Sequence, residues 1–177
     1  LVQLLPAPAH VANRGQFVDS FFIQKITDSN DNLIYEHVVQ PDQVVSEQTA
    51  YLMTDMLRTV VSNGTGSRVK SRFKHNDRVP IVGKTGTTSD DYDLWFVGFS
   101  PDVTLGLWVG YDKPSKLKDT NRAKYLWADV MNELVESVPD LFVTESFEKP
   151  DGIVTKTVSK VSGKLPSELV LQEKLTV

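Results

Sequence analysis

The chain contains no cysteine, so neither a disulfide framework nor a thiolate metal site is open to it. Its three histidines, His10, His37 and His75, are scattered without ligand spacing, and no metal site is read from them. Positive charge is not in excess: 19 basic against 23 acidic residues give a formal net charge of −4, which excludes the electrostatic footprint of a nucleic-acid binder. No apolar run reaches the length of a membrane span, and no secretory leader is visible. What is present is an ordinary globular composition, 40% hydrophobic and 24% charged over 177 residues, enough for one domain with a sizeable core. The chain opens at Leu1 inside an apolar segment, which reads as the interior of a longer protein.

The apolar pattern divides the chain into elements. Leu1 to Asn13 is apolar and closes on Asn13-Arg14-Gly15, a helix stop, although Pro6 and Pro8 are unwelcome inside a helix. Phe21 to Lys25 and Leu33 to His37 flank an Asp28 to Asn32 cluster and predict a hairpin. Ser46 to Ser62 predicts a helix capped by Ser46 and ended at Asn63-Gly64, with Met53, Met56, Leu57, Val60 and Val61 at helical spacing and both methionines in the core. Residues 64 to 78 are polar and basic and predict a loop. Three strands follow, the second turning into the third at Ser100-Pro101-Asp102 and the third running from Thr104 to Asp112. Asn121 is expected to cap a second helix to Ser137, with Ala123, Leu126, Trp127, Val130, Met131 and Leu134 facing inward. From Val143 onward only short strand-like pieces are expected, and the chain divides at 1–144 and 145–177.

The richest segment is Gly83-Lys84-Thr85-Gly86-Thr87-Thr88, between the apolar Val79 to Val82 and the strand-like Leu94 to Phe99. A Lys-Thr-Gly tripeptide on such a strand is one of three elements of the serine acyl-enzymes that penicillin inhibits, the others being Ser-x-x-Lys on a helix and Ser-x-Asn. Alone it is weak, because Lys84 and Thr85 on a solvated strand end would look the same.

Its setting is more specific. Asp93-Leu94-Trp95-Phe96-Val97-Gly98-Phe99-Ser100-Pro101 and Leu107-Trp108-Val109-Gly110-Tyr111-Asp112 follow it. Ala12-Asn13-Arg14-Gly15, Gln48 to Met53 and Val60-Val61-Ser62-Asn63-Gly64-Thr65-Gly66 precede it. In this order the set resembles the penicillin-binding proteins, most of all the bifunctional class A members, from about residue 10 to about residue 165. The resemblance implies an α/β chain of the α+β type. Its antiparallel sheet is flanked by helices, as in the penicillin-binding protein and β-lactamase fold, and is incomplete in this chain. It further implies a peptidoglycan D,D-transpeptidase acting through a serine acyl-enzyme. The partners it implies are the D-Ala-D-Ala stem peptide, β-lactam antibiotics and the N-terminal remainder of the same domain. No cofactor is implied, and the parent protein would be membrane-anchored on the extracytoplasmic side, this piece itself being soluble.

Residue by residue, the resemblance makes Lys84 and Thr87 catalytic: Lys84 faces the site and the Thr87 N–H is an oxyanion donor. Thr85 and Thr87 would bind the substrate carboxylate with their hydroxyls. Gly86 would leave room for close approach, and Thr88 and Trp95 would line the substrate. For Asp93 and Trp95 a second reading stands beside this one, in which Trp95 fills core and Asp93 caps a loop; Trp108 and Trp127 read as packing.

The nucleophile does not follow. Ser-x-x-Lys occurs at Ser67, Ser71, Ser115 and Ser146, but the first two lie in the expected basic loop, the third in a lysine-rich turn and the fourth just before Pro150. No Ser-x-Asn occurs. The expectation is one wall of an active site whose serine lies elsewhere. A serine β-lactamase, a penicillin sensor and a non-catalytic scaffold derived from the fold remain alternatives. The alternating Leu105, Leu107, Val109 and Tyr111 also predict an open sheet edge at Thr104 to Asp112, available for self-association.

Overall fold

The computed structural model describes residues 4–159, 162–165 and 172–176. In chain order the elements are α1 (Pro6–Ala12), β1 (Gln16–Phe17), β2 (Lys25–Thr27), β3 (Leu33–Glu36), β4 (Asp42–Gln43), α2 (Glu47–Ser62) and α3 (Ser67–Arg72). Then follow β5 (Val82–Thr87), β6 (Leu94–Phe99), β7 (Thr104–Val109), α4 (Arg122–Ser137), a short 3-10 turn at Pro139–Leu141, β8 (Thr155–Ser159) and β9 (Gln172–Thr176). The centre is an antiparallel sheet in the order β5-β6-β7, with Lys84 opposite Val97, Gly86 opposite Trp95, and Trp95 opposite Trp108.

Alternation along the strands sorts this sheet into two faces. Leu94, Phe96, Leu105, Leu107 and Val109 face α4 and join the core with Val61, Val69, Phe73, Ala123, Trp127 and Met131. Trp127 is fully buried, stands edge-on to Phe96 at 5.1 Å, and donates its indole N–H to the Leu105 carbonyl at 2.9 Å. Gly98 makes room for it: a Cβ there would sit 2.8 Å from the Trp127 ring. Trp127→Ala should lower the unfolding free energy by about 3–5 kcal/mol. An unchanged thermal or urea midpoint would contradict this packing. The other face, with Trp95, Val97 and Phe99, meets Leu4, Pro8 of α1 and Leu57 of α2, so helices lie on both sides of the sheet.

Several expectations hold in outline and change in detail. α1 begins at Pro6, so both prolines fall in the first turn, where a missing N–H costs nothing. The hairpin forms, but its first strand lies at Lys25–Thr27 rather than Phe21 to Lys25. The Asp28 carboxylate draws the turn inward by accepting N–H bonds from Asn30 and Asn32 and one from the Asn32 amide. Those bonds, the Asn32 side chain's foremost, hold the Asp28 pKa below the usual carboxylate value. Ser46 caps α2 as expected, its hydroxyl accepting the Thr49 N–H at 3.2 Å.

Met53 and Met56 are exposed, contrary to the core expectation, because α2 buries the face of Ala50, Thr54 and Val61. The 64–78 segment is not simply a loop: it contains α3, with Val69 and Phe73 buried. What makes a helix of this basic stretch is its contact with α4. Arg72 forms a two-pronged ion pair with Asp129 (2.6 and 2.8 Å), and buried Asn132 accepts the Lys74 N–H while donating to the Arg72 carbonyl.

The third strand stops at Val109 rather than Asp112. Asn121 precedes α4 but makes no side-chain cap; instead Asp119 accepts the Asn121 N–H at 2.9 Å. The buried stripe of α4 is Ala123, Trp127, Ala128, Met131, Asn132 and Val135, rotated from the expected one, with Val130 exposed. From Thr144 to Asp151 the chain stays tied to the body. Thr144 bonds Asp102, Phe147 stands edge-on to Phe99, Arg14 bridges Glu47 and Glu148, and the Gln48 amide donates to the Asp151 carbonyl. Among the described residues neither β5 nor β7 has a strand on its outer side.

Candidate active site at the edge of the central sheet

Strand β5 carries Lys84, Thr85, Gly86 and Thr87 of the predicted site residues, and pairing parity decides how it presents them. The Thr88 N–H donates across to the Asp93 carbonyl at 3.2 Å. In an antiparallel pair the N–H and C=O of one residue face the same side, and the side alternates. Backbone groups of Gly86, Lys84 and Val82 therefore face β6, and those of Thr87, Thr85 and Gly83 face the open edge. A ligand arriving edge-on meets unpaired N–H donors at Thr85 and Thr87.

The two faces of the strand flank that edge with different chemistry. On one side Lys84, Gly86 and Trp95 line an apolar pocket of about 390 Å³ with Leu4, Pro8, Leu57, Val97 and Phe99. The Lys84 ammonium is exposed and donates to the outward-facing Thr85 carbonyl at 2.9 Å. A Cβ at Gly86 would lie 3.1 Å from the Trp95 Cβ, a tight contact that Trp95 could relieve only by shifting a few tenths of an ångström. On the other side Thr85 and Thr87 present their hydroxyls, and Thr85 Oγ1 lies 2.9 Å from Thr65 Oγ1. Thr65 belongs to the Gly64-Thr65-Gly66 turn that follows α2. A Cβ at Gly64 would come within 2.9 Å of the Val60 backbone, so only glycine lets the turn lie this close to the helix end.

Thr88 and Trp95 have structural employment too. The Thr88 hydroxyl oxygen accepts the N–H groups of Tyr92 (3.0 Å) and Asp93 (2.9 Å) and so shapes the turn into β6. Trp95 is half-buried with its ring 6.3 Å from that of Trp108, and the Trp108 indole N–H donates to Asp93 at 2.9 Å. Trp108 remains 39% exposed, so the packing expectation holds for Trp127 and only partly for Trp108. Asp93 serves Trp108 across the strands, and the loop-capping that the second reading gave it is done by Thr88.

Thr65 and Lys124 were given no role from sequence. The Lys124 ammonium, on the first turn of α4, donates to the Thr65 carbonyl at 3.4 Å. Burial first, and repulsion by Arg68 second, lower its pKa; Asp119 opposes them. The glycine pair around Thr65 was the available signal, but nothing in linear order ties it to a helix almost sixty residues on.

Of the four Ser-x-x-Lys strings, Ser67 heads a helix after all, with Lys70 one turn on, yet both side chains stand in solvent. Ser71 donates to the Arg68 carbonyl, Ser115 lies in the groove beyond β7, and Ser146 lies beside Arg14. No group of three or more metal-ligating side chains occurs among the described residues.

Comparison with known proteins shows the family and the fold. The family model of the penicillin binding protein transpeptidase domain matches residues 1–132. The chain is 35% identical over 176 residues to penicillin-binding protein 1A of Aquifex aeolicus, covering 97% of this chain and 22% of that protein. To penicillin-binding protein 1A of Clostridium novyi it is 33% identical over 157 residues, covering 89% and 17%. The chain thus spans about a fifth of the length of the curated relatives it matches. Its fold matches the crystal structure of penicillin-binding protein 1A from Haemophilus influenzae with a TM-score of 0.78 at 21% identity, over 96% of this chain and 31% of that one. The D,D-transpeptidase domain of a peptidoglycan glycosyltransferase from Eggerthella lenta matches with a TM-score of 0.60 at 22% identity, over 75% and 31%.

Proposed function

This chain belongs to the penicillin-binding protein transpeptidase domain family, and we propose that it forms one wall of the acyl-transfer site of a peptidoglycan D,D-transpeptidase. The observation that carries the reading is the open edge of β5, with outward N–H groups at Thr85 and Thr87, an ammonium on one face and two threonine hydroxyls on the other.

A serine supplied from outside this chain attacks the carbonyl between the two D-Ala residues of a stem peptide. The tetrahedral intermediate places its oxyanion against the Thr87 N–H. The C–N bond then breaks, the terminal D-Ala leaves with a proton on its amine, and an acyl ester remains. An amine of a neighbouring stem peptide attacks that ester, forms the cross-link and returns the proton to the serine. Neither half-reaction changes an oxidation state, and none requires a cofactor.

Lys84 supplies positive charge beside the reacting serine and the anionic substrate. The Thr85 and Thr87 hydroxyls receive the terminal carboxylate, or that of a β-lactam, and Gly86 and Trp95 form the wall along which the peptide lies. The parent protein is anchored in the cell membrane with this part on the extracytoplasmic side. No helix among the described residues is long and apolar enough to cross a membrane.

Thr85→Val in the full-length protein tests the carboxylate assignment. Losing a hydrogen bond to a charged group costs about 1.5–3 kcal/mol, so the dissociation constant of the initial β-lactam complex should rise about tenfold or more. The acylation step itself should change little. Unchanged binding would remove Thr85 from carboxylate recognition.

A further inference from the structure

The site contains a cation that its motif does not. We infer that Lys124 supplies charge to the carboxylate subsite, delivered from α4 through the turn that carries Thr65. The inference rests on the reading that Thr85 and Thr87 receive a carboxylate. The chain of contacts is short. The Lys124 ammonium donates to the Thr65 carbonyl at 3.4 Å, and the Thr65 hydroxyl lies 2.9 Å from that of Thr85.

The surroundings of Lys124 point the same way. Acidic residues outnumber basic ones, 23 to 19, so a cation in this chain has carboxylates to choose from. Arg58, Arg72, Lys74 and Lys116 each take one, and Arg14 takes two. Among the described residues Lys84, Lys124 and Arg68 form no ion pair, as is also true of other lysines and arginines such as Lys25, Arg78 and Lys113; what sets Lys124 apart is its partial burial beside the Thr65 turn. Lys124 is half-buried and repelled by Arg68, and Asp119 attracts it without forming an ion pair among the described residues. Holding a half-buried cation there with a neutral carbonyl as its hydrogen-bond acceptor and no ion-pair partner costs free energy, and an arriving carboxylate offsets that cost. The subsite is therefore suited to a substrate or inhibitor with a free carboxylate, and Lys84 and Lys124 approach it from opposite faces of the strand.

The test is the acylation of the full-length protein by a carboxylate-bearing penicillin, resolved into the dissociation constant of the initial complex and the rate of the covalent step. Lys124→Gln keeps a donor for the Thr65 carbonyl and loses the charge. At low ionic strength it should raise the dissociation constant about three- to tenfold and leave the covalent step unchanged. In about 0.5 M sodium chloride the difference should shrink towards zero, because screening acts on charge and not on packing. Lys124→Arg should stay close to wild type. A glutamine variant equal to wild type at low salt overturns the inference. So does a loss that is undiminished at high salt, or one shared by arginine. If the unaltered full-length protein is not acylated at all, the proposed function falls and this inference with it. If it is acylated while Lys124→Gln is indifferent, only the inference falls.

Discussion

Lys84→Ala in the full-length protein is expected to slow acylation by a β-lactam on the order of 10²-fold or more, the size typical of losing one preorganised electrostatic contact at a reacting centre. The loss should fall on the covalent step as well as on binding, because the charge acts on the developing oxyanion and on the incoming anion together. Substituting an exposed lysine away from the strand, such as Lys113, sets the baseline. The structural reason to expect a difference is where Lys84 stands. Its ammonium, though exposed in this chain, bonds the outward-facing Thr85 carbonyl at 2.9 Å at the edge where the substrate is proposed to lie, and its stem borders an apolar pocket. A rate within about twofold of wild type would return Lys84 to the status of a solvated strand-end lysine.

The 177-residue chain by itself is expected to take no covalent label from a fluorescent penicillin, measured by denaturing electrophoresis after incubation. The difference from the full-length protein should be all or none, since a nucleophile is either present or absent. Ser67 is the candidate that most needs this test. The sequence reading set it aside as a loop residue, whereas it opens α3 with Lys70 a turn away. What argues against it is solvent: both side chains are exposed, and the lysine is not held beside the serine in a dry site. A label mapped to Ser67, Ser71, Ser115 or Ser146 would place the nucleophile inside this chain and overturn that part of the proposal.

Much of the fold was legible because it depends on local chemistry. The Ser46 cap, the Asp28 to Asn32 turn and the three strands around Lys-Thr-Gly each arise from residues close together in the chain, and each forms where expected, within a few residues. The misreadings share one cause. The helix at Ser67–Arg72 depends on Asp129 and Asn132 more than fifty residues away. Met53 and Met56 fit a helical stripe equally well on either side of the true buried face, and only the position of the sheet decides which side is covered. Val130 fell outside the buried face of α4 for the same reason.

The candidate site divides along the same line. Sequence alone determined that Lys84, Thr85, Gly86 and Thr87 lie consecutively on a strand, and alternation then requires lysine on one face and the threonines on the other. Which backbone groups face outward was not determined, because that parity depends on pairing with β6, seen in the Thr88 to Asp93 bond. Nor were Thr65 and Lys124, which reach Thr85 only because the end of α2 and the start of α4 converge beside β5. Local order along a strand is set by covalent connectivity. The charge around it is set by which distant segments the core packing brings alongside, and that only the tertiary structure decides.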